Sequence, residues 1–542
     1  MSQFVEGNVV DVRGRKVFPA RVWHENGVIK DVEHVSSVMP GLLLPGLIDS
    51  HIHIESSLLC PSRFAEAVIP HGTTAIVTDP HEIANVLGLP GIEYMSRDAK
   101  TVPLRVYFTA PSCVPSTPFE TSGASLGAAE IEQLLSREDF VALGEMMNYP
   151  GAIKGDEEVM AKINVAKRLG KPIDGHSPML SGADLKKYVE RGISTDHECT
   201  SSKEAREKAR LGMLVMVRQG SASKDLPALA EFAKKHEFLL VSDDKSAGDL
   251  LQGHVDRMLA EAVALGIEPL HALRAVTINP ALHYNLPLGI IESGRMADMV
   301  RVSDLRSFQV DEVYIGGQLV GAKHAARFPV KPKEMASQFM LQRRTPSDFD
   351  IMCEAPEVEV RVIGVVKDEI VTDSLTANLK TDNGRIVPDI EKDVLRIAVV
   401  NRYKDAPVSN AFVKGFGLKS GALASTVAHD SHNIIVVGTS TEDMAIAVNT
   451  LVSEGGGFCV CAGGKTSVLG LHIAGLMCTK PAFDVSHGLD QLRAKAHELG
   501  CELEHPFMTM SFLSLLVIPK LKMGDKGLFD VDKFSFVEVL SK

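Results

Sequence analysis

The chain has 542 residues, 45% of them hydrophobic and 23% charged, with a formal net charge of -12. That length and composition allow several domains with sizeable cores, and the negative balance argues against a nucleic-acid backbone as ligand, in favour of a small molecule. The opening MSQFVEGNVVDVRGRK lacks the apolar core of a signal peptide and no long apolar run follows, so no membrane span is expected and the cytoplasm is the default location.

In chain order, residues 1–44 carry short alternating runs (NVVDV, KVFPARVWHENGVIKDV) broken by Gly, Asn and Pro, the pattern of a small β domain. From Pro45 the pattern changes to short apolar runs alternating with amphipathic helical stretches. The runs are GLIDSHIH, TAIVTD, RVYFTA, FVALGE, PIDGH, ISTDH, MLVMVR and FLLVSDD. Eight β–α units over 45–285 predict an α/β fold built on a (β/α)8 TIM-like barrel. Alternation returns in 286–330, which is expected to complete a β-sandwich domain with 1–44. Residues 331–350 read as a charged linker with a short helix, and 350–542 as a separate C-terminal α/β domain with glycine clusters at 455–457 and 463–464. The eight cysteines are scattered. The closest pair, Cys459 and Cys461, fits neither a zinc ribbon nor a CxxC motif, so reduced buried thiols are expected.

In such a barrel the active site lies where the strands end. The first strand ends in Asp49-Ser50-His51-Ile52-His53, and residues two apart on a strand point the same way. Strand four ends at Glu145, five at His176, six at His197 and eight at Asp243. Each alone has an ordinary structural explanation: a rim salt bridge, a turn, a satisfied core histidine, a helix cap. Together they place four imidazoles and two carboxylates at one mouth, which points to a metal site. Six groups, one a carboxylate able to bridge, suit two divalent ions sharing an activated water that attacks an sp² carbon. Asp243 is suited to take the proton and pass it to the leaving group. Ligation by N and O without thiolate suits Mn2+, Fe2+ or Zn2+.

PGLIDSHIHIESS, AVTINPALHYNL and LGIIESGRMADMV resemble the amidohydrolase superfamily over residues 1 to 330. Glu145 in FVALGEMMNYPG, where most binuclear members carry a modified lysine, narrows the resemblance to the adenine deaminase family. TDPHEIANVLG, APSCVPSTPFETSGA, SDDKSAGDLLQGH, VAHDSHNIIVVGT and MTMSFLSLLVIPKLKMGDKGL extend it along nearly the whole chain. The resemblance implies hydrolysis of adenine to hypoxanthine and ammonia at a manganese or iron pair. Carried over by position, His51, His53, Glu145, His176, His197 and Asp243 would be the ligands, with Asp243 also the catalytic proton shuttle; His81 and Glu82, just past strand two, are candidates to protonate the leaving amine, the alternative being a helix-start Glu beside a structural His. Ser122, Gly123, Arg218, Asp430 and His432 are candidates to hold the purine. For Arg218 the alternative is a structural ion pair, and for Asp430 and His432 a turn. The expected partners are adenine and further copies of the chain, with neither nucleic acid nor membrane. A cyclic-amide or N-acyl hydrolase on the same barrel, or a non-catalytic purine- or metal-binding protein, is the alternative function. A serine triad is not supported without a GxSxG elbow, nor the H-x-E zinc deaminase class without PCxxC.

Overall fold

The structure, a computed structural model, describes residues 3–367 and 369–541. Strands β1 (Gln3–Asp11), β2 (Lys16–Glu25), β3 (Val28–His34) and β4 (Leu42–Pro45) precede the barrel. The barrel strands are β5 (Leu47–His53), β6 (Thr73–Thr78), β7 (Arg105–Ala110), β8 (Phe140–Met146), β9 (Ile173–Gly175), β10 (Thr195–Asp196), β11 (Leu214–Arg218), β12 (Leu239–Val241) and β13 (Asp243–Asp244). After it come β14 (Met299–Val302), β15 (Val310–Ile315), β16 (Gln318–Ala322) and β17 (Ala325–Ala326). The two flanks form one eight-stranded sheet, β17-β16-β15-β14-β4-β1-β2-β3, because β14 pairs antiparallel with β4 through Val300 and Leu44. Val5, Val9, Ala20, Val22, Leu43 and Met299 pack together as its core.

Parallel pairing runs β13-β5-β6-β7-β8-β9 and β10-β11-β12. The two runs meet where Ser194 N donates to Ile173 O at 2.9 Å. They meet again where β12 continues through Ser242 into β13, which pairs with β5 at Asp243 and Ile52. Each of the eight sequence runs therefore supplies a strand, the last of them broken. β5, β6 and β8 are buried at every residue, as parallel strands covered by helices must be. The break falls at Asp243, whose φ of +60° lies in the left-handed region that side chains rarely adopt. Such strain concentrates at functional sites.

The C-terminal region is a nine-stranded mixed sheet spanning residues 357–470, with the helix Thr441–Glu454 packed on it. Met444, Val448 and Leu451 of that helix join Val400, Ile434, Val436 and Cys459 in one core. In 331–350 the expected helix is a 3-10 turn at Pro346–Phe349. The rest of that segment has no regular secondary structure and is pinned from both sides: Tyr94 Oη donates to Lys333 O at 2.9 Å, and Met340 N to Arg402 O at 2.8 Å. The C-terminal domain also grips the loop after β7. Thr121 N donates to Asp525 Oδ1 (2.9 Å), and Asn433 Nδ2 to Thr121 O (2.9 Å). All eight cysteines are free thiols, and no helix among the described residues is long and apolar enough to cross a membrane.

Candidate metal centre and active site

β5 delivers His51 and His53 to the barrel mouth from alternate positions, as strand parity requires. His53 Nδ1 lies 3.0 Å from Asp79 O. A carbonyl only accepts, so the ring proton sits on Nδ1 and Nε2 faces the mouth with a free lone pair. That nitrogen is 3.3 Å from Glu145 Oε1 and 3.2 Å from Asp243 Oδ1, and His51 Nε2 is 3.4 Å from the same Asp243 oxygen. The other Glu145 oxygen meets His176 Nδ1 at 2.7 Å and His197 Nε2 at 3.3 Å. The six groups expected from the strand ends thus converge, with Glu145 between the two sets of histidines. His176 is partly exposed and the others are buried. Burial opposes charge on Glu145 and Asp243, yet the close histidines, and for Asp243 the Arg218 guanidinium, hold both carboxyls well below the ordinary carboxylate range.

The donors also fit a cation. His51 Nε2 is buried without a hydrogen-bond partner, an expensive state for imidazole nitrogen in a dry interior. His51-His53-Glu145, His51-His197-Asp243 and Glu145-His176-His197 each have ligand atoms within 4.8 Å of one another.

His81 and Glu82 open the short helix His81–Leu87 just beyond β6. His81 Nδ1 is 3.4 Å from Glu145 Oε1, and its Nε2 is 3.5 Å from Glu82 Oε1. Arg218, at the end of β11, is an ion-pair hub. It donates from Nη1 to Asp243 Oδ2 (3.0 Å) and Glu198 Oε1 (2.5 Å), and from Nε to Asp225 Oδ2 (2.9 Å). Its guanidinium is therefore occupied by protein carboxylates. His432 hydrogen bonds Glu82 from the C-terminal domain.

Three other candidates make no hydrogen bond to the cluster. Ser122 Oγ donates to Ala124 O within its own loop (2.6 Å), and Gly123 N to Asn85 O (2.7 Å). Asp430 is buried with Oδ2 unpartnered, near Glu120, whose carboxyl is pushed well up by burial and then by Asp430 and Asp525.

Three groups at the site were not anticipated. His429 Nδ1 lies 2.7 Å from Glu82 Oε1, and its H-x-x-H spacing with His432 was the available signal. Glu198, directly after His197, contacts His176, His197 and Arg218. Asp79 accepts from Glu145 N at 3.0 Å and so anchors the bridging residue's backbone.

An amidohydrolase family model matches residues 42–320, and an adenine deaminase C-terminal domain model matches residues 369–535. Among curated proteins, adenine deaminase of Methanothermobacter thermautotrophicus is 47% identical, the alignment covering 99% of each chain. Those of Methanosphaera stadtmanae and Salinibacter ruber are each 44% identical, over 99% and 98% of both chains respectively.

Proposed function

The chain belongs to the adenine deaminase family of amidohydrolases, and on that footing we propose that it hydrolyses adenine to hypoxanthine and ammonia. One observation carries this: four imidazoles and two carboxylates converge on one barrel mouth, in a chain that aligns end to end with adenine deaminases. The donor set suits two divalent ions, Mn2+, Fe2+ or Zn2+ alike, and we take Mn2+ first because the family resemblance implies it. His51, His53 and Asp243 would hold one, His176 and His197 the other, and Glu145 has an oxygen towards each group. Bound there, the ions supply Lewis acidity, which makes water a usable nucleophile near neutral pH.

In this hydrolysis a bond forms from the water oxygen to purine C6, and the C6–N6 bond breaks. One water proton leaves on ammonia and the other ends on ring N1. Asp243 is the group for the first transfer. Its Oδ1 faces the mouth, while Arg218 holds Oδ2 at 3.0 Å and keeps the carboxylate fixed and ionised. Asp243 receives the proton from water and hands it to the exocyclic nitrogen. His81 and Glu82, an imidazole and a carboxylate 3.5 Å apart, serve the leaving-amine end. They hold hydrogen bonds to the departing nitrogen and keep bulk water from competing. Arg218 acts through Asp243 rather than on the purine, because four of its five N–H groups already point at protein carboxylates.

The test is ammonia and hypoxanthine production from adenine by purified protein loaded with manganese, beside dihydrouracil and N-acetyl sugars as alternative substrates. Adenine should be turned over and the others not. No ammonia from adenine would refute the assignment, and one metal equivalent per chain would refute the two-ion site.

A further inference from the structure

Glu82 belongs to the barrel, yet both of its carboxylate oxygens are engaged by the C-terminal domain. His429 Nδ1 lies 2.7 Å from Oε1, and His432 Nε2 hydrogen bonds Oε2. All three side chains are withdrawn from solvent, His432 almost completely. The backbone N–H of Ala428 donates to His432 Nδ1 at 3.2 Å. That nitrogen is therefore an acceptor, so the ring proton is on Nε2 and points at Glu82.

The loop that carries the two histidines is braced on every side. His432 N donates back to Ala428 O at 2.8 Å, and Tyr403 Oη donates to Ser431 O at 2.6 Å. Asn433 accepts from Arg402 N (3.2 Å) and donates to Thr121 O of the barrel (2.9 Å). His432 itself is held at a φ of +52°, a left-handed conformation a β-carbon disfavours. Such a backbone persists where the surroundings over-determine it, as they do here. Beyond Glu82 the contacts continue through His81 to Glu145.

We propose that His429 and His432 are positioning residues for the deamination, fixing both oxygens of Glu82 so that the C-terminal domain completes the active site on the barrel. This rests on the assignment of Glu82 to the leaving-amine end. Two donors leave a carboxylate one orientation, and a misplacement of about 1 Å at such a group is enough to cost about 100-fold in rate. The charge balance agrees. Burial opposes ionisation of Glu82, but His429 and His432 outweigh it and hold the carboxyl well below its ordinary range. Burial likewise works against charge on His429, where Glu82 prevails and lifts it to about 9, whereas at His432 burial prevails and lowers it. Glu82, His429 and His432 also have the spacing of a metal triad. A cation on His432 Nε2 would require a ring deprotonated at both nitrogens, since Nδ1 already accepts from Ala428, so a hydrogen-bonded clamp is the assignment the geometry favours.

The experiment uses the full chain loaded with manganese and the variants His432→Phe, His429→Ala, His429→Gln, Glu82→Gln and the double variant Glu82→Gln/His432→Phe. His432→Phe should lower kcat about 100-fold, within the span of general acid–base effects, with KM changed by no more than about threefold and metal content unchanged. The double variant should be no slower than Glu82→Gln alone, since both remove one unit. His429→Gln, which retains an N–H donor, should recover most of the rate that His429→Ala loses. Unchanged kcat in His432→Phe, multiplying losses in the double variant, or no recovery by His429→Gln would each overturn the proposal. Loss of one metal equivalent in His432→Phe would overturn it in favour of a third ion. If His432→Phe does not fold, the His429 pair decides alone. Full activity in Glu82→Gln would instead remove the role given to Glu82 itself. An impaired Glu82→Gln beside unimpaired histidine variants would remove only the clamp.

Discussion

Replacing Arg218 with Met tests whether this guanidinium serves the purine or the protein. The methionine keeps much of the apolar stem and removes the charge that three carboxylates share. Asp243, Glu198 and Asp225, with side chains 9%, 15% and 15% exposed, would then face one another with no cation between them. Breaking a buried pair by removing one partner costs about 3–5 kcal/mol. For a unit of barrel size each kcal/mol moves the melting midpoint by roughly 2–4 °C, so a fall on the order of 10 °C is expected. The rate should fall too, because Asp243 Oδ2 loses its donor while neighbouring acids disfavour its charge. KM should hold within about threefold, the pattern of a residue that does not touch bound substrate. Calorimetry and steady-state adenine kinetics on the same preparations read both effects. Arg218→Lys should recover only part of the stability, since an ammonium cannot reproduce the forked contacts. An unchanged melting midpoint with KM raised roughly tenfold or more would refute this reasoning and make Arg218 a purine ligand.

Asp243→Asn should lower kcat by at least about 1,000-fold while adenine still binds, measured by equilibrium dialysis; surviving turnover would remove the proton shuttle. Gly123→Ala would drive a β-carbon into the Val86 carbonyl oxygen and the Tyr403 ring. The helix carrying His81 and Glu82 must then part from the C-terminal domain, at about 1–3 kcal/mol, and kcat/KM should fall; wild-type kinetics with wild-type stability would contradict the tight approach. Lys522 is buried with Nζ donating to Ile370 O (2.8 Å) and Phe512 O (2.9 Å), and burial lowers its pKa to about 7 from 10.5. Below pH 7 the ammonium is charged in both folded and unfolded states, so the folded state carries the whole desolvation penalty; above 10.5 both are neutral and the penalty vanishes. Stability from this group therefore rises with pH between those values. Lys522→Met should flatten that rise, compared with wild type by urea midpoints at pH 7 and pH 10, and an identical slope in both proteins would contradict the buried charge.

What could be read ahead of the structure divides according to the physical rule that fixes each position. Asp49, His51 and His53 share a parity, so their direction follows from β5 being a strand at all. Glu145 likewise follows from β8 running to its end. Strand parity stops where strands stop. β10 is only Thr195–Asp196, so Glu198 lies past the alternation and swings to Arg218 and the histidines by the turn of the chain. In FLLVSDD both Asp243 and Asp244 follow the apolar run, and nearness to that run singles out Asp243. The structural cause is different: a left-handed residue breaks the strand there and turns Asp243 to His51 and His53, while Asp244 is left to bond Ser56. Ser122 and Gly123, candidates to hold the purine, lie after β7 on a seam against the C-terminal domain and make no hydrogen bond to the metal-competent cluster. The same seam explains His429. Its contact with Glu82 depends on how one domain's loop closes over another's helix, and no periodicity in either segment encodes that closure. The groups placed on the barrel strands or within a residue of their ends are those suited to hold metal. The groups that steer the leaving amine are placed by packing between domains, so changes at the seam far from any ligand should alter kcat while leaving metal content intact.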